Sequence, residues 1–329
     1  MIIWLVDFDG KMENLALMRL SAYHKSHGDS VKLIHGYPRP SIYETPDKVY
    51  ISCIFSWNKE SALGWANLWA ERCELGGSGV DVKKVLPPEV ARCAPDYSLY
   101  SHPKMSANTL RALGFISRGC TRSCPWCIVK EKEGELRRVS SAKEIVENFD
   151  SVLFLDNNFL ALPDFELDLA WLVESGVSVD FNQGLDIRLV TENAAKLLSK
   201  CTWSSGVRFA LDSTSYIDVF EENVTKLLDA GIRCSSLSIY ALIGFSGLES
   251  DLKRMTFLHD LGVRVYPMGF RDLETGEEPA RGWDFVLYKK YRRLITRMPF
   301  AKSVWEDFYI EVVKGRSVSK EKRDRSYLF

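Results

Sequence analysis

Short apolar runs alternate with amphipathic segments along the first part of the chain. Strand-like runs lie at 2–7, 30–34 and 48–55, and segments with apolar residues at helical spacing lie at about 13–27 and 59–73. A glycine-rich stretch at 75–79 then interrupts the pattern, as a turn does. The order of these elements predicts the α/β fold class, beginning with a small Rossmann-like domain over residues 1–86.

A second, more regular alternation follows residues 87–111, which are rich in Pro, Ser, Tyr and Asn and predict a linker. Strand-like runs lie at 152–155, 177–181, 207–211, 237–243 and 263–267, and helical segments at 165–174, 192–200, 217–230 and 248–261. This alternation indicates parallel βα units in an open sheet or a barrel. We expect this domain to span 112–275, and a helical and basic segment, with a helix at 283–297, to occupy 276–329.

Composition adds mainly exclusions. With 43 basic and 44 acidic residues the formal net charge is -1, so no global positive field attracts nucleic acid or an anionic membrane. The first apolar run has about six residues, against the roughly 20 of a membrane span, and no basic segment precedes it. We therefore expect a cytoplasmic protein with no membrane partner and, at 46% hydrophobic content, a packed core.

The eight cysteines fall into two groups by spacing. Five stand alone and are expected to be small buried hydrophobic residues, namely Cys53, Cys73, Cys93, Cys201 and Cys234. The other three, Cys120, Cys124 and Cys127, lie four and three residues apart. A loop this compact brings three thiolates to one metal centre, and soft sulfur ligands suit zinc or an iron–sulfur cluster.

A structural zinc site needs a fourth ligand, which this segment does not supply. No Cys or His lies between Cys127 and Cys201, and the nearest upstream histidine is His102. In a four-iron cluster, three thiolates leave one iron open to another ligand. The spacing therefore indicates a catalytic cluster rather than one that only transfers electrons.

The spacing Cys-x-x-x-Cys-x-x-Cys, with Trp126 before the last cysteine and strand–helix repeats after it, resembles the radical S-adenosylmethionine superfamily. The resemblance covers residues 112–270 and implies a partial (β/α)6 barrel of the TIM type. It also implies that the three cysteines hold a 4Fe–4S cluster, that S-adenosylmethionine binds the open iron, and that Trp126 lies beside the adenine.

In that family the cofactor is cleaved reductively to a 5′-deoxyadenosyl radical, which abstracts hydrogen from a substrate. The resemblance therefore implies a reducing partner such as flavodoxin or ferredoxin. It also gives roles to polar residues that follow the predicted strands, because barrel sites form at the carboxyl ends of strands.

Asp156, Asn157 and Asn158 follow the first of these strands, where the family binds the methionine amino group. Their oxygens are suitable acceptors for an ammonium. The segment departs from the family's glycine-containing form, which leaves open which of the three acts. A turn that favours Asn and Asp is the alternative.

Gln183, Asp186 and Arg188 follow the next strand, and a polar run at this position is costly unless it is solvated or functional. Arg188 is the candidate for the methionine carboxylate. An ion pair between Arg188 and Asp186 is the alternative interpretation.

Asp212 and Ser213 end the third strand, where the family often places a Glu-Ser pair near the ribose hydroxyls. Aspartate has a shorter reach than glutamate, and a helix N-cap is the alternative role. Residues 241–245, including Ile243, resemble the strand that packs against the adenine.

The first domain resembles the cobalamin-binding domain of other superfamily members, which makes cobalamin-assisted methyl transfer an alternative activity. Domains that bind cobalamin through histidine use the motif D-x-H-x-x-G, which this sequence lacks. His24, His27 and His35 are expected at the surface. We therefore expect a degenerate domain of this type, which would bind cobalamin only through a mode without a histidine ligand.

A different class of function is a metal-stabilised nucleic-acid-binding module without catalysis. Basic and aromatic residues mix in the last 50 or so positions, around 289–293 and 320–325, and such surfaces bind phosphates and stack on bases. Interspersed acidic residues favour a solvated helix face and tail instead. The sequence carries no signature of the substrate, which is either a small molecule or derived from nucleic acid.

Overall fold

The computed structural model describes residues 1–40, 44–100 and 111–272, together with residues 275, 277, 278, 281, 283 and 288. In its first hundred residues the elements are β1 (Ile2–Asp7), α1 (Leu15–Ser26), β2 (Ser30–His35), β3 (Lys48–Ser52), α2 (Lys59–Trp69), β4 (Cys73–Gly76) and α3 (Pro88–Ala91). The four strands are parallel in the order β2-β1-β3-β4. This doubly wound order reverses direction between β1 and β3.

Alternation along β1 explains why helices cover both faces of this sheet. Trp4 and Val6 pack with Ala62 and Trp69, on the side of α2. Ile3 and Leu5 point the other way and pack with Leu17 of α1. Successive strand residues face opposite sides, so an unbroken apolar run is what a strand buried on both faces requires.

The second part of the chain carries the remaining described elements. They are β5 (Ala112–Gly114), β6 (Ser117–Arg118), α4 (Val129–Glu133), β7 (Arg137–Arg138), α5 (Ala142–Val146), β8 (Ser151–Phe154), α6 (Phe165–Ser175), β9 (Ser178–Phe181), α7 (Glu192–Lys200), β10 (Thr202–Trp203), β11 (Val207–Ala210), α8 (Ile217–Asp229), β12 (Leu237–Ile243), α9 (Leu248–Asp260) and β13 (Arg264–Gly269). The predicted alternation of parallel strands and helices is therefore confirmed.

Two parallel sheets form this part, in the orders β10-β9-β8-β5 and β11-β12-β13. A parallel bridge between Leu185 and Phe209 links them, and the Leu185 amide donates to the Arg208 carbonyl at 2.7 Å. Strands β5, β8, β9, β11, β12 and β13 thus follow one another in chain order. Their carboxyl ends carry all the predicted site residues except those of the cysteine loop, which follows β6.

The two parts of the chain share apolar packing. Leu15 and Met18 of α1 lie in one buried cluster with Leu113 of β5 and Leu153 of β8. The Leu113 amide also donates to the Tyr97 hydroxyl at 3.0 Å. Helix α1 of the N-terminal part is therefore packed against strands β5 and β8 of the second part.

Several local predictions were wrong. Residue Cys73 begins strand β4 rather than ending a helix, because a four-residue strand is too short to show a period of two. The predicted linker contains α3, and its Val90 packs under α1. His24 is buried instead of exposed, because its ring nitrogens lie 2.7 Å from Asp29 Oδ2 and 3.1 Å from the Tyr50 hydroxyl.

Of the five single cysteines, Cys53 and Cys201 are buried as predicted, whereas the other three are half-buried. The predicted helix at 283–297 and the basic tail lie outside the described residues, apart from positions 283 and 288. In the part of the chain that is described, every helix is too short or too polar to cross a bilayer.

Candidate functional site

The three clustered cysteines lie in the loop between β6 and α4. Cys120 and Cys124 are half-buried and Cys127 is exposed, and the Cys127 amide donates to the Cys124 carbonyl at 3.0 Å. Partial desolvation of the thiol groups raises the pKa of Cys124 and Cys127, and the neighbouring cysteines raise both further. The thiols are therefore close enough to act on one another electrostatically.

A buried carboxylate that the sequence did not single out holds this loop. Glu133, the last residue of α4, has a side chain only 3% exposed and pairs with Arg118 Nη2 at 2.8 Å. It also accepts the Gly119 amide and Asn157 Nδ2, each at 2.9 Å. Gly119 has φ +85°, and a Cβ there would lie 2.2 Å from the Glu135 carbonyl oxygen, so only glycine fits beside Cys120.

Asp156, which follows β8, also holds the backbone of this loop. It is 1% exposed and accepts the Ile116 amide at 3.0 Å, the Ser117 amide at 2.5 Å and the Ser117 hydroxyl at 2.6 Å. Burial raises the pKa of Asp156 to about 6, against the lowering effect of these donors. Its carboxylate is thus occupied by the backbone that leads to Cys120, and its predicted contact with a methionine amino group stays a prediction.

Asn158 differs from its two neighbours because its acceptor oxygen is buried without a partner among the described residues. It is 2% exposed, and its Nδ2 donates to Cys120 Sγ at 3.3 Å. Its Oδ1 is buried and has no hydrogen-bond partner among the described residues. A buried oxygen of this kind is costly unless a ligand satisfies it.

Two arginines converge on Asp186 beside the cysteine loop. Arg188 donates to it through Nε at 2.6 Å and Nη2 at 3.0 Å, and Arg122, which lies between Cys120 and Cys124, donates through Nε. The ion pair proposed as the alternative for Arg188 is therefore present. Both guanidinium groups act to lower the pKa of Cys124, although burial outweighs them.

Arg188 also lies over the Tyr216 ring, with its Cζ 4.4 Å from the centroid. Gln183 is exposed, and its predicted cofactor contact stays a prediction.

Trp126 lies between groups at the ends of β11 and β12. Its ring packs edge-on against Phe245 with centroids 5.4 Å apart. Asp212 accepts the Leu242 amide at 2.9 Å, and burial raises the pKa of Asp212, against the lowering influence of this bond and of its neighbours, including Trp126. The adenine and ribose candidates of the sequence are therefore neighbours.

The remaining two candidates have structural roles as well. Ser213 caps the short helical turn Thr214–Tyr216 by accepting the Ser215 amide at 3.2 Å, as the N-cap alternative predicted. Ile243 ends β12 and is 1% exposed, so it forms part of the core.

Three thiols and the neighbouring Asn158 side chain form the donor set of the cysteine loop. Within 1–40, 44–100 and 111–272, no group of three Cys, His, Asp or Glu side chains is arranged to hold a single metal ion. A four-iron cluster keeps its thiolates farther apart than one ion does, because irons and sulfides lie between them. An all-thiol set with a donor on Cys120 therefore fits such a cluster, and the Asn158 oxygen fits an ammonium ligand.

Cobalamin does not fit the carboxyl edge of the N-terminal sheet. The Asp9 carboxylate there accepts the Ile54 amide at 2.7 Å and the Phe55 amide at 3.1 Å. Gly77 and Gly79 lie so close to the opposite loop that a Cβ would be 2.2 Å from Cys53 O and 2.5 Å from Phe55 C. The chain's own groups occupy the place of a ligand.

Comparisons with known proteins give no family. No protein-family model matches the chain, and no curated protein matches it. Solved structures of SuiB from Streptococcus suis do match. The one bound to the precursor peptide SuiA has 14% identity and a TM-score of 0.40, over 61% of this chain and 46% of that chain.

Two further SuiB structures give similar values. The one bound to S-adenosylmethionine has 13% identity and a TM-score of 0.39, over 56% of this chain and 46% of that chain. SuiB without a named ligand has 13% identity and a TM-score of 0.39, over 66% and 55%. The chain spans about half the length of these solved chains, and its function is inferred from its own residues.

Proposed function

We propose that this protein is a radical S-adenosylmethionine enzyme. The observation that supports this most is the loop of three thiols beside Asn158, whose oxygen is buried and without a described partner. Three sulfur ligands and an adjacent acceptor are what a cluster needs if its fourth iron binds an amino acid. In this proposal the six parallel strands in chain order form the partial (β/α)6 barrel.

Each group of the cofactor has a candidate in this arrangement. Cys120, Cys124 and Cys127 would hold a 4Fe–4S cluster, which supplies the electron for reductive cleavage of S-adenosylmethionine. The Asn158 oxygen would accept the methionine amino group, and Arg188 would bind its carboxylate.

Asp212 would contact the ribose, and Trp126 and Ile243 would form the adenine wall. In this proposal Asp156 and Asn157 would support the cysteine loop through their contacts, and Asn158 would be the one of the three that binds the methionine amino group.

The chain's own charges prepare the thiols for this role. Arg122 and Arg188 favour the Cys124 thiolate, and Asn158 donates to Cys120. Hydrogen bonds to cluster sulfurs are one of the means by which a protein sets the reduction potential. Glu133 and Asp156 hold the loop through hydrogen bonds to the backbone before Cys120. The ligands would therefore be positioned before the cluster is inserted.

The proposal leaves the substrate open. A small molecule and a nucleic-acid-derived substrate are both compatible with it, and the electron donor would be a flavodoxin or ferredoxin in the cytoplasm.

Formation of 5′-deoxyadenosine tests the proposal. The protein is reconstituted anaerobically with iron and sulfide, reduced with dithionite and incubated with S-adenosylmethionine, and the nucleoside is measured by chromatography. We expect slow release of 5′-deoxyadenosine by the wild type, none by Cys124→Ala, and wild-type release by the matched control Cys234→Ala. A fully loaded cluster that releases no 5′-deoxyadenosine would contradict the proposal.

A further inference from the structure

An ion pair lies buried at the start of α9, away from the cysteine loop. Asp251 is 0% and Arg254 1% exposed, and Arg254 Nη2 donates to Asp251 Oδ1 at 2.5 Å. Two charges removed from water carry a large desolvation cost, which only further hydrogen bonds offset. Those hydrogen bonds identify what the pair holds in place.

The pair is bonded to the ends of two strands that carry site residues. Arg254 Nη1 donates to the Leu211 carbonyl at 2.8 Å, one residue before Asp212. Asp251 Oδ2 accepts the Gly244 amide at 2.7 Å, one residue before Phe245. The ion pair therefore fixes the backbone on either side of the Trp126 ring.

Residues from the C-terminal segment complete this network. Trp283 Nε1 donates to the same Asp251 Oδ2 at 2.8 Å. The Arg281 amide donates to the Gly244 carbonyl at 2.9 Å, and its guanidinium lies 4.6 Å from the Phe245 ring. At Gly244, where φ is +83°, a Cβ would lie 3.0 Å from the Tyr288 ring.

These contacts form a continuous path from the C-terminal segment to the cysteine loop. Trp283 is bonded to Asp251, Asp251 to the Gly244 amide, and Phe245 next to it packs on Trp126. The charge of Arg254 also acts to lower the pKa of Asp212, on which the Trp126 side chain acts in the same direction. A change at Trp283 can therefore alter the position of Trp126, which is part of the proposed adenine wall and precedes Cys127 in the chain.

We infer that Asp251 and Arg254 are positioning residues through which the C-terminal segment, by way of Trp283, sets the position of the Trp126 wall and hence the affinity for S-adenosylmethionine. The affinity part rests on the proposed function. The structural part, a coupling of Trp283 to Trp126, does not.

The test uses Trp283→Phe in the full-length chain, because this change removes the indole N–H and keeps an aromatic ring. The matched control is Trp203→Phe, which removes an indole hydrogen bond of 2.8 Å to the Leu198 carbonyl. Both proteins are labelled with 5-fluorotryptophan, and the Trp126 fluorine signal is assigned by its loss in Trp126→Phe. Affinity for S-adenosylmethionine is measured on the reconstituted proteins by equilibrium dialysis.

We expect Trp283→Phe to shift the Trp126 signal and to weaken S-adenosylmethionine binding about tenfold, as the loss of a hydrogen bond to a buried carboxylate implies. Trp203→Phe should change neither. An unmoved Trp126 signal with unchanged affinity would overturn the inference.

If the wild type fails to bind S-adenosylmethionine although the Trp126 signal moves, the proposed function fails and the coupling stands. Should Trp283→Phe not fold, Asp251→Asn and Asp251→Glu are compared by the same signal. A Trp126 signal that moves in Asp251→Asn and keeps its wild-type position in Asp251→Glu supports a charge-dependent link. A signal that is unmoved in both variants excludes it.

Discussion

The N-terminal sheet and the parallel strands of the second part differ in the polar groups at their carboxyl ends. At the N-terminal sheet, Asp9 accepts hydrogen bonds from the Ile54 and Phe55 amides and from Asn58 Nδ2, so this carboxylate is satisfied within the chain. At the second part, the edge carries three thiols and the Asn158 oxygen, which lacks a described partner. The carboxylate at the first edge is thus bonded to the chain's own donors, whereas the second edge has three thiols and an amide oxygen available for a ligand.

This difference explains why a similar order of strands and helices does not imply a similar function. Doubly wound sheets bind ligands where the strand order reverses, which here is between β1 and β3. Asp9 and the close glycines at 77 and 79 fill that place. The ability to bind a cofactor therefore has to be judged from the residues at each edge rather than from topology.

The largest difference between the two edges is expected in iron and sulfide content when one thiol is removed from each. Cys124→Ala removes one of three ligands, so iron and sulfide retained after anaerobic reconstitution and desalting should fall to background. Cys53→Ala, the same substitution at the N-terminal edge, should leave both at the wild-type level. Equal iron in the two variants would show that the thiol loop is not the cluster site.

The pH dependence of stability should reveal the buried Asp156. Its carboxyl titrates near 4 in the unfolded chain and at about 6 in the fold, so the folded state binds the extra proton. Its contribution is complete below pH 4 and is lost as the pH rises through 6. Relative to Asp156→Asn, the wild type should lose about 2 kcal/mol of unfolding free energy between pH 4 and 7.

Denaturant unfolding at intervals across this range measures the difference between the two proteins. Comparison with Asp156→Asn cancels the other buried acids, such as Asp251. A constant difference across the range would show that Asp156 titrates normally.

At the N-terminal edge, Asp9→Ala should destabilise the fold without affecting the cluster. The Ile54 and Phe55 amides lose their acceptor, and the expected cost is about 2 kcal/mol of unfolding free energy. Denaturant unfolding measures this, with iron content determined on the same sample. A loss of iron alongside stability would mean that the two edges are not independent.

The smallest effect is expected at Asp29, and its sign is opposite to that of Asp156. Its pKa is lowered by the hydrogen bond from His24 and then by the N-terminal ammonium. The stability it contributes is present above its unfolded pKa and is lost as the pH falls through the folded value. Solvent screens the N-terminal partner, which is 60% exposed.

Thermal unfolding of wild type and Asp29→Asn between pH 3 and 6 checks this prediction. The two midpoints should converge as the pH falls. Divergence at low pH would contradict the assigned direction.

The strands and helices with strong periodicity were predictable from the sequence. Glu192–Lys200 and Leu237–Ile243 have the predicted ends, because their apolar positions follow one period without interruption. Short elements such as β4 were missed because four residues do not establish a period. The pattern also predicted parallel βα units, but it did not predict how the sheets β10-β9-β8-β5 and β11-β12-β13 are joined.

The candidate site was predictable where spacing carries the information and not where partners decide. The cysteine spacing marks the loop, but nothing in Asp156-Asn-Asn158 indicates that all three side chains bond to it or its supports and that the third has a buried oxygen without a described partner. Glu133 and Arg254 resemble surface charges in helical segments. Only their burial shows that they hold the site, since the polar face of a helix is normally solvated.

Electron paramagnetic resonance of the reconstituted, dithionite-reduced protein tests the central claim most directly. Spectra are recorded with and without S-adenosylmethionine, in the wild type and in Cys124→Ala. We predict the signal of a reduced 4Fe–4S cluster that shifts when the cofactor is added and is absent from the variant. A protein that retains only zinc, or a cluster signal that S-adenosylmethionine leaves unchanged, would contradict the account.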